Sequence, residues 1–153
     1  MPQRTYSTGS VFEQSIGFQL GVTYRKMSQL FTQRLKPHNL TPEQWIVLYA
    51  VGSKDGMMQK EIAELTEKDR PTTTRILDAL EAKGFLHKAA GESDRRSFHV
   101  HLSESGRDVL DLTTPLEKQT VETATAALSA EEYALLQSLL GRIGHTLDAA
   151  RSH

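Results

Sequence analysis

Two short stretches concentrate the side chains best suited to meeting a phosphate or a base edge: Arg70-Pro-Thr-Thr-Thr-Arg75 and Asp94-Arg95-Arg96. A guanidinium presents a planar fork of donors that matches the paired acceptors of guanine, and a threonine hydroxyl can bond either a base edge or a phosphate oxygen. In the first stretch the apolar spacing of Thr73, Ile76, Leu77 and Leu80 turns one helical face inward and leaves Thr72, Thr74, Arg75 and Asp78 outward. Pro71 suits the first helical position, where its missing N–H would have no partner anyway. Arg70, just upstream, can reach a phosphate, and the helix N-terminus itself favours one. Gln59 and Lys60, at the start of the preceding helix, are further expected phosphate contacts. An ordinary surface helix that happens to carry an arginine is the alternative. The second stretch is a charged turn, and an arginine on a projecting turn can enter a narrow, electronegative minor groove. Asp94 is unsuited to face phosphate; it accepts hydrogen bonds from Arg96, or from the neighbouring backbone, and so aims the arginine. The plainer alternative is a solvated turn with an ion pair worth about 0–1 kcal/mol.

Other chemistries find less support. His99 and His101 stand two apart on a strand and share a face, as metal ligands can, but spacing offers no third ligand, so no metal is expected. His38 with Glu43 is no better a start. The chain has no cysteine, which excludes disulfides, thiolate ligands and a cysteine nucleophile. It has no nucleophile elbow, no HExxH, no glycine-rich phosphate loop and no framed carboxylate pair, so neither catalysis nor a cofactor is expected. Tyr24, Met27, Phe31, His38 and Trp45 could converge as a ligand pocket; apolar stripes at helical spacing are otherwise core.

The elements that would carry these residues are mostly helices. Ser10-Val-Phe-Glu13, Thr41-Pro-Glu-Gln44 and Ser129-Ala-Glu-Glu132 each pair a hydroxyl with Glu or Gln three residues later, the reciprocal pattern of a helix start. They predict helices over about 10–36, 41–53 and 129–150. The second is apolar on most sides and so forms the buried centre. Two short helices, about 58–66 and 71–83, are joined by a polar turn as in a helix-turn-helix. After Gly84, Phe85-Leu-His-Lys88 and Phe98-His-Val-His-Leu102 read as strands around the charged turn, a hairpin. Ser103 then caps a helix to about 127 with a kink at Pro115. The expected fold is mainly α with a small β-hairpin wing, a winged helix-turn-helix in the order α1-α2-α3-α4-β-β-α5-α6. One unit spans 1–153, with a reading region at 41–102, its core between Gln59 and Leu102.

Composition is compatible with this reading. Of 153 residues, 38% are hydrophobic and 24% charged, as in an ordinary globular chain. No apolar run reaches the roughly 18 residues of a membrane span, and no signal segment is evident, so a cytoplasmic location without membrane association is expected. The net charge of −1 conceals a gradient. Residues 1–60 hold seven basic side chains against three acidic ones, and residues 102–153 hold four against eight. A protein can therefore be near neutral and still offer one positive face to a duplex. The long apolar stripes of helices 10–36 and 103–150 exceed what one small domain can bury, and pairing with a second copy would cover them.

With these residues in view, positions 59–106 resemble the multiple antibiotic resistance regulator (MarR) family. The resemblance is carried by Gln59-Lys-Glu-Ile-Ala-Glu-Leu65, Thr72-Thr-Thr-Arg-Ile-Leu-Asp-Ala-Leu-Glu-Ala-Lys-Gly-Phe-Leu86 and Asp94-Arg-Arg-Ser-Phe-His-Val-His-Leu-Ser-Glu-Ser-Gly106. The wing motif is the most specific part: Asp94, Arg96, Leu102, Ser103 and Gly106, with Ser103 in place of the family's threonine. The resemblance implies a homodimer on a pseudo-palindromic double-stranded DNA operator, usually a repressor, often released by a small phenolic or anionic effector. It also assigns Thr72, Thr74 and Arg75 to major-groove reading, Arg96 to the minor groove with Asp94 orienting it, and Arg95 to phosphate. A winged-helix module that binds protein, or a metal-responsive regulator, is the alternative.

Overall fold

The computed structural model describes residues 12–91 and 97–152. The chain divides into two compact units, one ending at Lys118 and the other beginning at Gln119.

In the first unit, helix α1 (Ile16–Leu35) is capped by Ser15, whose hydroxyl accepts from the Phe18 amide. The expected cap, Ser10, lies outside the described residues; residues 12–14 make a helical turn, and the pattern breaks at Ser15 before α1 begins. A 3-10 turn (Lys36–His38) and Asn39 in the left-handed region, at φ 57°, stop α1. Helix α2 (Pro42–Ser53) starts at the expected capping box: Gln44 N donates to Thr41 Oγ1 and Thr41 N donates to Gln44 Oε1. Helices α3 (Gln59–Leu65) and α4 (Arg70–Ala82) form the helix-turn-helix.

Three strands follow the order β1-β3-β2, all antiparallel, where the sequence predicts two. The added strand, β1 (Met57–Met58), is two residues long, too short to show a period, and pairs Met57 with Val100. Strands β2 (Leu86–Ala90) and β3 (Phe98–Leu102) pair from Leu86↔Leu102 to Ala90↔Phe98.

Helix α2 is the centre of this unit, packing against α1, α3, α4 and β3. Its Val47, Leu48 and Val51 meet Leu35, Ile62, Ile76, Leu77, Leu80 and Val100 in a single buried cluster. Burial of each such side chain contributes about 1.5–3 kcal/mol. The expectation of burial on most sides of α2 needs one correction, because Ile46 and Tyr49 are exposed. Helix α5 (Glu104–Ala124) continues through Pro115. Just ahead of the proline, Thr113 and Thr114 hydroxyls bond the carbonyls of Val109 and Leu110, and the turn after Ala124 ends the helix earlier than predicted.

In the second unit, helix α6 (Ala130–Arg151) begins at the predicted Ser129–Glu132 capping box. Its Leu135, Leu136, Leu139, Leu140, Ile143 and Leu147 are between 40% and 58% exposed. Among the described residues, no helix is long and apolar enough to cross a membrane.

Candidate nucleic-acid interface

Helix α4 starts one residue earlier than the sequence suggests. Asp69 is its N-cap, and Arg70 and Pro71 are its first two residues. The Thr72 amide donates to Asp69 Oδ1 at 2.7 Å and the Thr72 hydroxyl to Oδ2 at 3.0 Å. These two bonds, the backbone one first, hold the Asp69 carboxyl below the usual carboxylate range. The helix N-terminus, expected to favour a phosphate, therefore already holds a carboxylate of its own chain, which opposes a second anion there. An Asp two residues before a proline at a helix start is a capping signal that could have been recognised from sequence.

The inward set is as predicted: Thr73, Ile76, Leu77 and Leu80 are all buried, and the Thr73 hydroxyl donates to Asp69 O. Outward stand Arg70, Arg75 and Asp78, with Thr72 and Thr74 half-buried. The Arg75 side chain is 70% exposed, and its Nη2 lies 3.9 Å from Glu43 Oε2 on α2. Thr74 Oγ1 donates to Arg70 O at 2.9 Å and accepts from Gln59 Nε2. Gln59 thereby ties the first residue of α3 to α4, while Lys60 beside it is exposed. Asp78 pairs with Lys88 Nζ, and the Lys88 amide donates to Glu81 Oε2 at 3.1 Å, so the root of the wing is bonded to α4.

The far end of the wing motif has a physical reason. Ser103 N donates to Phe85 O at 3.0 Å, Gly106 N donates to Ser103 Oγ at 3.0 Å, and the Ser103 and Ser105 hydroxyls both donate to Gly84 O. The first turn of α5 is thereby fastened to the chain entering β2. A Cβ on Gly106 would lie 1.9 Å from Phe85 O, so only glycine fits. Asp94, Arg95 and Arg96 lie outside the described residues.

Residues 38–97, which run from the end of the 3-10 turn through the helix-turn-helix into the wing, match the model of the MarR family. The helix-turn-helix and the start of the wing are thus similar to those of the MarR family. The chain is 25% identical over 130 residues to the uncharacterized HTH-type transcriptional regulator YybA of Bacillus subtilis (strain 168), a match covering 85% of this chain and 87% of that one. A crystal structure of a probable transcriptional regulator from Pseudomonas aeruginosa superposes with a TM-score of 0.81 at 29% identity, over 86% of this chain and 98% of the other. The transcriptional repressor CouR, bound to a 23-mer DNA duplex, superposes with a TM-score of 0.82 at 28% identity, over 92% and 99%.

The other candidate residues distribute as follows. Phe31 and Trp45 are core: their rings meet edge to face at 5.3 Å, and Trp45 Nε1 donates to the buried Thr113 Oγ1 at 3.0 Å. Tyr24 is 64% exposed on α1, and Met27 and His38 are half-buried. The cleft in this region lies further along α2. It has a volume of about 350 Å³ and is lined by Tyr49, Gly52, Ser53, Arg107, Leu110 and Asp111, among others. Tyr49 stacks on Trp45 at 5.1 Å, so the predicted cluster borders the cleft through one residue that the sequence reading omitted. Of the wing histidines, His99 Nδ1 is 2.8 Å from Gly56 O and His101 Nδ1 is 2.9 Å from Asp55 Oδ1. His101 also stacks on His87. The bond to His101 holds the Asp55 carboxyl below its usual range. Among the described residues no three or more histidines and carboxylates are placed to hold a metal ion.

Proposed function

We propose that this chain is a homodimeric repressor that binds a pseudo-palindromic operator in double-stranded DNA and releases it when a small anionic or phenolic compound binds. It is a DNA-binding transcription regulator of the MarR family, and the single observation that carries the reading is the arrangement of α4. That helix is anchored in the core by Ile76, Leu77 and Leu80 while it presents the 70%-exposed Arg75 to solvent. In a helix-turn-helix the residues of the first turns of the second helix meet base edges in the major groove. Arg75 is the guanine reader, Thr72 and Thr74 flank it, Arg70 and Lys60 meet phosphate, and Gln59 supports Thr74. Arg96, aimed by Asp94, enters the minor groove, with Arg95 on phosphate. Residues 41–102 are the reading region, and 10–36 with 103–150 the dimerisation region. CouR, a repressor with a DNA duplex bound, supports the repressor assignment.

The effector site in this reading is the cleft beside Tyr49, where Arg107 offers a cation and Leu110 an apolar wall. Its volume falls in the ordinary range for small-molecule sites, about 300–1,000 Å³. The relatives are transcriptional regulators, and the chain acts where the DNA is, in the cytoplasm.

The test is duplex binding measured across a salt series. Affinity should fall steeply with salt, and the slope should become shallower by about one unit in Arg96→Ala if that arginine meets the DNA backbone as it enters the groove. Affinity insensitive to both salt and Arg96 would show that this winged helix binds something other than DNA.

A further inference from the structure

Thr72 and Thr74 are restricted in what they can offer a base, because the direction of each hydroxyl hydrogen is determined by its partner. Thr72 Oγ1 lies 3.0 Å from Asp69 Oδ2, and an ionised carboxylate only accepts, so the hydroxyl hydrogen points at Asp69. Thr74 Oγ1 lies 2.9 Å from the Arg70 carbonyl oxygen, which also only accepts. The group of Gln59 that meets Thr74 must then be its NH2, which takes one of the hydroxyl's lone pairs. What remains available is two lone pairs on Thr72, one on Thr74, and a methyl group on each. In the major groove the donors are the amino groups of adenine and cytosine, whereas guanine N7 and O6 and thymine O4 are acceptors that a hydroxyl lone pair cannot bond.

We propose that Asp69 is a specificity-determining positioning residue: by holding the Thr72 hydroxyl hydrogen, it restricts Thr72 to the amino edge of adenine or cytosine on the strand it faces. The Arg70 carbonyl does the same for the Thr74 hydrogen, and the Gln59 amide leaves that hydroxyl one free lone pair. If Thr72 turned its hydrogen toward a keto oxygen, Asp69 would lose a hydrogen bond while facing the negatively charged duplex, so the alternative polarity is disfavoured twice. The inference rests on the DNA-binding reading above and adds to it a base preference that neither the fold nor Arg75 specifies.

The experiment selects bound sequences from a duplex pool randomised across a half-site, using the full chain as wild type, Asp69→Asn and Thr72→Val. Asparagine keeps an oxygen for the Thr72 amide, so α4 stays capped. Its NH2 donates to Thr72 Oγ1 and frees the hydroxyl hydrogen to point outward. Wild type should favour adenine or cytosine over guanine or thymine at one position by about two- to tenfold, the worth of one neutral hydrogen bond. Asp69→Asn should shift that position toward guanine or thymine, and Thr72→Val should lose the amino preference there. Circular dichroism monitors folding, and if Asp69→Asn does not fold, Thr72→Val decides alone. Unchanged preference in the folded variants overturns the role of Asp69 and leaves DNA binding standing. Failure of the wild type to bind any duplex overturns both.

Discussion

Gly106 is the residue at which local geometry is least negotiable. A methyl group there would meet the Phe85 carbonyl, at 1.9 Å from its oxygen and 2.9 Å from its carbon, and backbone cannot swing aside as a side-chain tip can. Gly106→Ala should therefore lower stability by about 1–3 kcal/mol or more, the range for forced overpacking. Urea unfolding reads this directly, and a midpoint equal to wild type would mean that α5 does not rest on Phe85 in solution. The glycine was visible in the sequence as the end of the wing motif, but its reason was not, since Phe85 and Gly106 meet only once β2 and β3 have paired. The same limit applies to the residues proposed to read DNA. Arg75, Thr72 and Thr74 could be picked from helical spacing alone. The Glu43 carboxylate beside Arg75 and the Gln59 amide on Thr74 could not, because each contact depends on how α2 and α3 pack against α4.

Helix starts are the elements whose behaviour follows most directly from named side chains. Asp69 at α4 and Glu132 at α6 are both held below the usual carboxylate range by hydrogen bonds, from the Thr72 amide and hydroxyl and from the Ser129 amide and hydroxyl respectively. A depressed folded pKa means that the carboxylate's contribution is fully present above the unfolded value, about 4, and is lost as pH falls through the lower folded one. Asp69→Ala and Glu132→Ala should thus lower the thermal midpoint at pH 7, with the deficit constant down to about pH 5 and closing below pH 4. A deficit that stays constant to pH 2 would show that the charge on these caps is immaterial. Caps are local, which is why the boxes at Thr41 and Ser129 could be read from four residues each. Ser15 has Phe18, not Glu or Gln, three residues on, so no local pattern announces it as the cap of α1. Strand β1 exists only because Met57 finds Val100 across the sheet, and no two-residue pattern can announce that.

For the whole molecule the open question is what covers the apolar side chains left at the surface. On α6, Leu139 and Ile143 are each 40% exposed, and on α1 Ile16 is 57% exposed. If a second copy covers the α6 stripe, Leu139→Asp or Ile143→Asp should yield monomers in sedimentation and abolish tight binding to paired half-sites while leaving α6 helical. A variant that remains dimeric would place the interface elsewhere. Effector binding can be followed with the one tryptophan, since Trp45 stacks on Tyr49 at the cleft wall. Titration with aromatic carboxylic acids should change its fluorescence and weaken operator binding together, and a hundredfold weakening corresponds to about 2.7 kcal/mol of coupling. No response in either would argue against the cleft. Finally, the bonds from Lys88 to Asp78 and Glu81 fasten the root of the wing to α4. If Arg75 and Arg96 read the two grooves as proposed, this joint couples them, and a half-site should hold a fixed helical phase between its major-groove and minor-groove positions. A single inserted base pair would rotate one position against the other by about a tenth of a turn and should weaken binding.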